Sequence, residues 1–244
     1  MTHHSWPDFE LENDPVFQDL IRPFIEKQMA QLEQYDRQRL SVNPALNYIF
    51  HEHAERVAND MRNTCAKLGL PDTVQDNMYW AMLTHDIGKR LLPIHVWDIA
   101  GKPTPEESSF RRQHTKLGLN ILEEELGGVE HPLIDLMKDI MVNHHEKMDG
   151  TGEHGLPPEH ISLPVRLACV VEDFDGRSRR RSGKEWEMRD LSPPVVLERM
   201  RSEPGKGAAM FDMTLFEAFA AMKMDEYQAA VRKSPAPQTP GGNP

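Results

Sequence analysis

Two adjacent pairs, His85-Asp86 and His144-His145, carry side chains that can hold divalent cations, and two further histidines, His53 and His114, fall where a helix would bury them. Around His53 the residues Leu46, Phe50, Val57, Met61 and Leu68 recur at helical spacings, so the imidazole shares the apolar stripe of an amphipathic helix. His85 follows Val74, Met78 and Met82, His114 shares a face with Phe110, Leu117 and Ile121, and His144 continues Leu133, Met137 and Ile140. A lone histidine on an apolar face is ordinarily a hydrogen-bonded core residue. Four such residues, two of them followed at once by another donor, would cost a few kcal/mol apiece if buried without partners. A cation shared between facing helices removes that cost.

The donor types narrow the chemistry. Imidazole nitrogen mixed with carboxylate oxygen, and no thiolate, suits Fe, Mn or Zn. The donors exceed the four that complete a structural site. Neighbouring residues on a helix point about 100° apart, so Asp86 can bridge two cations while His85 holds one of them. Two divalent ions about 3.5–4 Å apart can activate a bridging hydroxide and stabilise a phosphoryl displacement.

The elements that must position these donors read as helices. A helix is predicted over 44–68, closed by Gly69 and Pro71, with Asp72 or Thr73 capping the next one. Thr104-Pro105-Glu106-Glu107 forms a capping box with proline at the first helical position, and that helix stops at Gly127-Gly128. Pro132 opens another, 146–164 is an irregular Gly/Pro-rich loop, and helices follow at Val165–Phe174, 193–202 and 212–231. No alternating strands and no internal repeat are visible. The fold class is therefore all-α: residues 1–43 as an amphipathic helical extension interrupted by Pro23, 44–232 as the site-bearing domain, and 233–244 as a disordered Pro/Gly-rich tail.

Composition bounds the partners. With 28 Lys and Arg against 39 Asp and Glu the net charge is −11, which repels nucleic-acid polymers and anionic membranes. An anionic substrate must then be drawn in by a local cationic patch, and Arg177–Lys184 is the most basic run. Cys65 and Cys169 sit in apolar helical patterns and read as small core residues. His3, His4, His95, His131 and His160 stand in polar or turn-like contexts and are expected at the surface. There is no signal peptide and no apolar run of about 18 residues, so a cytoplasmic location is expected. The N-terminal segment is too short for a sensor or receiver domain and offers a helical surface for a homodimer or a signalling partner.

With these residues assembled, the chain resembles the HD-GYP branch of the HD phosphohydrolase superfamily over roughly residues 46–220. The resemblance runs through His53-Ala54-Glu55-Arg56-Val57, His85-Asp86-Ile87-Gly88-Lys89, His114, and His144-His145-Glu146-Lys147-Met148-Asp149-Gly150-Thr151-Gly152. It continues through Pro164-Val165-Arg166-Leu167 and Glu172–Asp175 to Phe211-Asp212. It implies a helical HD-domain bundle hydrolysing a cyclic dinucleotide, typically cyclic di-GMP. It further implies one metal on His53, His85, Asp86 and Glu172, a second on Asp86, His114, His144 and His145, and phosphate contacts from Lys89, Arg181 and Lys184.

Three departures accompany it. Glu153-His154 stands where the family carries Tyr-Pro, at a position that contacts substrate. Glu172 replaces the usual Asp as last ligand, with Asp173 the competing neighbour. Ile49 stands where members with three metals carry Glu, so two metals are expected. Glu146 and Asp149 are read as fixing the loop. The alternative readings are an HD enzyme acting on another phosphoester, and a catalytically silent signalling module that keeps its metal shell.

Overall fold

The apolar stripes fold as helices, and the computed structural model describes residues 5–99, 103–179, 189–203 and 207–233 without a strand among them. Helix α1 spans Arg22–Val42, α2 Phe50–Lys67, α3 Asp72–Leu83, α4 Ile94–Trp97 and α5 Pro105–Leu126. They are followed by α6 at Pro132–Asn143, α7 at Leu163–Ser178, α8 at Pro193–Ser202 and α9 at Met213–Lys233. A 3-10 helix, Ile87–Leu91, joins α3 to α4. Helix α2 packs against α3 and α7, α5 against the 3-10 helix and α6, and α9 covers α2 and α7. Val57, Met61, Met78, Met82, Leu122, Met137, Ile140, Val165 and Phe216 form the common core.

Several helix ends differ from their sequence reading. Helix α2 begins at Phe50 rather than 44, because α1 runs to Val42 and Pro44 turns the chain before Ile49 enters in extended geometry. Pro23 does not interrupt the N-terminal helix. A π-helical turn, Phe17–Ile21, lets the Arg22 N–H reach back to the Phe17 carbonyl, and Pro23 then occupies the first turn of α1, where its missing N–H is harmless. Helix α3 has no side-chain cap from Asp72 or Thr73; its N-cap is Pro71. The capping box at Thr104 and Glu107 is formed.

The N-terminal segment is built into the core: Phe17, Ile21, Phe24 and Ile25 are buried there, and Asn77 Nδ2 donates to the Pro7 and Phe9 carbonyls. His131, expected at the surface, has a buried side chain because its ring accepts the Leu133 N–H as N-cap of α6 and packs edge-on to Phe9. His95 and His160 are exposed as expected, while His3 and His4 lie outside the described residues. Among the described residues, no helix is long and apolar enough to cross a membrane.

Candidate metal centre

Both donor pairs emerge from helix C-terminal turns, not from helix interiors. Helix α3 ends at Leu83 and Thr84 leaves helical geometry, so His85 and Asp86 project from a turn; His144 is likewise the C-cap of α6, with His145 following in the turn. This differs from the in-helix placement that the apolar register predicts. The turn has a consequence, because adjacent side chains diverge by about 100° in a continuous helix, whereas here both members of each pair converge on the same interior. His53 stands one turn into α2, His114 midway along α5 and Glu172 on α7.

The imidazole hydrogen bonds define which nitrogens are available. Nδ1 of His85 donates to the Met82 carbonyl at 2.8 Å, Nδ1 of His114 to Arg111 at 2.7 Å and Nδ1 of His144 to Ile140 at 3.0 Å. His53 Nδ1 donates to Asp175 Oδ2 at 2.7 Å. Carbonyls and carboxylates only accept, so each Nδ1 carries a proton and Nε2 is the nitrogen left to each ring, a lone pair wherever the ring is neutral. Those Nε2 atoms face one another, His53 and His85 at 3.3 Å and His114 and His144 at 3.4 Å. Asp86 Oδ1 and Glu172 Oε2 are buried beside them with no hydrogen-bond partner. An interior lined by converging lone pairs is unsatisfied until a cation or protons enter it, and this is the observation that fits the residues to divalent metal.

The donors form two groups, His53, His85, Asp86 and Glu172 in one and His114, His144 and His145 in the other, with the ligand atoms of each within 4.8 Å of one another. Asp86 joins them. Its Oδ2 lies 3.3 Å from His53 Nε2 and 3.2 Å from His85 Nε2, while its Oδ1 lies 3.0 Å from His114 Nε2 and 3.9 Å from His144 Nε2. Glu172 Oε2 closes the first group at 3.0 Å from His53 Nε2. Asp173, the competing carboxylate, pairs instead with Arg177 at 2.5 Å.

The electrostatics show the same division. Burial opposes charge on His53 and His85, yet the carboxylates of Glu172 and Asp86 outweigh it and raise both imidazoles above their ordinary pKa. Burial likewise opposes the Asp86 and Glu172 anions, and the neighbouring imidazoles hold both carboxyls well below the usual range. In the second group, burial and the adjacent His145 and His85 keep His144 neutral, and burial with His114 pushes His145 down to about 3. Neutral imidazoles are the form that binds metal.

Lys89 lies at the edge of this interior. It is 7% exposed, its ammonium contacts Asp86 Oδ2, and it sits 5.0 Å from the Phe50 ring centre. Arg181 and Lys184, the expected phosphate contacts, lie outside the described residues. Glu146 is 1% exposed and accepts the backbone N–H groups of His154 and Leu156, while Asp149 accepts both the N–H and the hydroxyl of Thr151. Both carboxylates thus fix the loop that carries Glu153.

The sequence reading missed Asp175. It sits one turn beyond Glu172, orients His53 through Nδ1 and is itself gripped by Arg56 at 2.9 and 3.1 Å. Burial opposes its charge, but His53 and Arg56 hold the carboxyl far below the usual range. Such outer partners fix ring orientation and raise ligand basicity. Asp175→Asn should weaken Mn²⁺ binding by about 10–100-fold, measured by titrating chelator-stripped protein; an unchanged affinity would remove Asp175 from this role.

The HD domain family model matches residues 27–192. A probable cyclic di-GMP phosphodiesterase of Vibrio cholerae is 35% identical over 153 residues, 62% of this chain and 33% of that protein. A cyclic di-GMP phosphodiesterase of Thermotoga maritima is 27% identical over 176 residues, covering 72% of this chain and 45% of the relative. The chain thus spans less than half the length of these curated relatives. The fold is similar to that of an HDG"Y"P protein from Bdellovibrio bacteriovorus, with TM-score 0.54 and 16% identity over 82% of this chain and 62% of the other. The ordered His and Asp motifs, the helical bundle that converges them and the match over most of the sequence place this chain in the HD domain family.

Proposed function

We propose that the chain is a metal-dependent phosphodiesterase acting on a cyclic dinucleotide, with cyclic di-GMP as the first candidate. Two divalent cations, Fe or Mn ahead of Zn, would be held by His53, His85, Asp86 and Glu172 on one side and by Asp86, His114, His144 and His145 on the other. The observation that carries the reading is the division of the Asp86 oxygens between the two imidazole groups, the arrangement a bridging carboxylate requires. Ile49, the extended N-cap residue of α2, offers no donor, which supports two cations rather than three.

When bound, the two cations supply Lewis acidity and an ionised water at neutral pH. The residues of the chain do the rest. Asp86 and Glu172 neutralise the cationic charge, the Nδ1 bonds lock the imidazoles of His53, His85, His114 and His144 in orientation, and Lys89 places a charge where a phosphoryl oxygen arrives at the edge of the centre. Arg181 and Lys184 are proposed to hold the remaining phosphate oxygens.

A second reading, another phosphoester as substrate, rests on Glu153. Its half-buried carboxylate stands near His114 and Arg112, and burial raises its pKa despite them. The test is direct: load the protein with Mn²⁺ or anaerobic Fe²⁺ and offer cyclic di-GMP, other cyclic dinucleotides and a generic phosphodiester. Turnover of cyclic dinucleotides supports the first reading. Turnover of the generic ester alone supports the second. No turnover with two cations bound refutes both and leaves a metal-retaining signalling module.

A further inference from the structure

Beside the metal centre lies a cavity of about 250 Å³, bounded by His114, His145 and Glu172 on one side and by aromatic and cationic side chains on the other. Two half-buried aromatic rings flank it. The Trp97 ring centre is 6.1 Å from that of His114, and the Tyr48 ring centre is 5.2 Å from that of His53, so each ring adjoins one group of donors. Both meet Phe50 edge to face, at 5.3 and 6.0 Å, which makes Phe50 a common floor.

Trp97 is held in place before any ligand arrives. Its Nε1–H donates to the Lys89 carbonyl at 3.1 Å, and Arg111 Nε donates to the Val96 carbonyl at 2.7 Å. The next residue, Asp98, accepts from Nη2 and Nε of Arg39 at 2.7 and 3.2 Å, Nη1 donates to Asp36 at 2.6 Å, and Arg39 itself is 2% exposed on α1. Ordering of this kind lowers the entropy that a ligand must overcome.

The side chains lining the cavity include more cations than carboxylates. Lys89, Arg39, Arg111 and Arg112 line it against the carboxylates Asp98 and Glu172, in a protein of net charge −11. A planar apolar ligand would have no use for these cations, and a plain sugar phosphate would have no use for two aromatic rings. A planar base joined to a phosphate uses both, since every base has a π-face and stacking on aromatic side chains is tolerant of base identity.

We propose that this cavity receives one nucleotide unit of the substrate, its base stacked against Trp97 and Tyr48 and its non-reacting phosphate met by Arg112. The inference rests on the reading of the centre as a phosphoester hydrolase and adds to it the residues that select a nucleotide. Selection of this sort does not use the loop at Glu153-His154.

The experiment measures binding, not turnover. The protein in chelator is titrated calorimetrically with GMP, AMP, ribose 5-phosphate and inorganic phosphate. GMP and AMP should bind at least about fivefold tighter than ribose 5-phosphate, the lower end of the range for stacking one base. Trp97→Ala should bring that ratio close to one and leave ribose 5-phosphate affinity within about twofold, while Trp97→Phe should restore most of it. Where Ala perturbs α4, Trp97→Leu keeps apolar bulk without the π-face and should behave as Ala. Arg112→Ala, at an exposed position, should weaken nucleotides and ribose 5-phosphate together.

Equal affinity for nucleotide and ribose 5-phosphate in the unaltered protein overturns the proposal, as does a wild-type ratio in both Trp97→Leu and Tyr48→Ala. The hydrolysis assay separates the two readings. Phosphodiester turnover without base-dependent binding removes the nucleotide pocket alone, and base-dependent binding without turnover removes the hydrolase alone.

Discussion

Asp86→Ala should leave no more than one cation per chain and reduce phosphodiester hydrolysis by on the order of 10³-fold, since a two-metal clamp is worth several kcal/mol in the transition state. The expectation follows from position. Asp86 is fully buried, and its two oxygens lie within 3.0–3.3 Å of His53, His85 and His114 across both donor groups. No neighbour can take its place, because Glu172 reaches only the first group and Asp173 is engaged by Arg177. Asp86→Asn keeps the shape and one good acceptor, so it should retain more metal than Ala and separate charge from packing. Metal content by mass spectrometry and turnover on the same preparations are the readouts. Two cations per chain with unaltered turnover in Asp86→Ala would refute the bridging assignment.

Gly88→Ala should destabilise the fold by about 3 kcal/mol or more, at the upper end of what overpacking costs. A methyl group there would lie 2.0 Å from the His114 carbonyl oxygen, 2.5 Å from the Gly118 nitrogen and 2.9 Å from the His114 carbonyl carbon. All three atoms are α5 backbone and cannot rotate aside. The 3-10 helix carrying Lys89 would have to move away from the helix carrying His114, so any folded fraction should also hold metal poorly. Gly118→Ala is the control from the same contact. Its methyl would meet the Met141 Sδ at 3.0 Å, the end of a flexible side chain, and alanine favours the helix by about 1 kcal/mol. Denaturant midpoints at unchanged slope give the comparison. Equal midpoints for the two variants would show that the close approach at Gly88 does not limit stability.

Much of the architecture was legible because helical periodicity is local. The registers around Phe50–Leu68, Val74–Met82, Phe110–Ile121 and Leu133–Ile140 lie within single helices or their ends, and the capping box at Thr104 needs only residues three apart. The ends were less legible. Pro23 reads as a break, but the π-turn before it absorbs the missing hydrogen bond. The side chain of His131 reads as exposed, but it serves as the cap of its own helix under Phe9.

The paired motifs at His85-Asp86 and His144-His145 determined, without coordinates, which donors exist and that nitrogen and oxygen ligation of a divalent metal is the chemistry they suit. Donor type is a property of the residue and the apolar register is a property of its neighbours, so both can be read along the chain. The tertiary structure alone decided the rest. Asp175 meets His53 across 122 residues of sequence, and Arg39 meets Asp98 across 59. The two oxygens of Asp86 divide between imidazoles from two helices and two turns, and Trp97 comes to stand beside His114. Such contacts depend on how helices pack against one another, which no local pattern encodes. Here that packing brings the lone pairs of buried donors face to face and places an aromatic, cationic cavity at their edge.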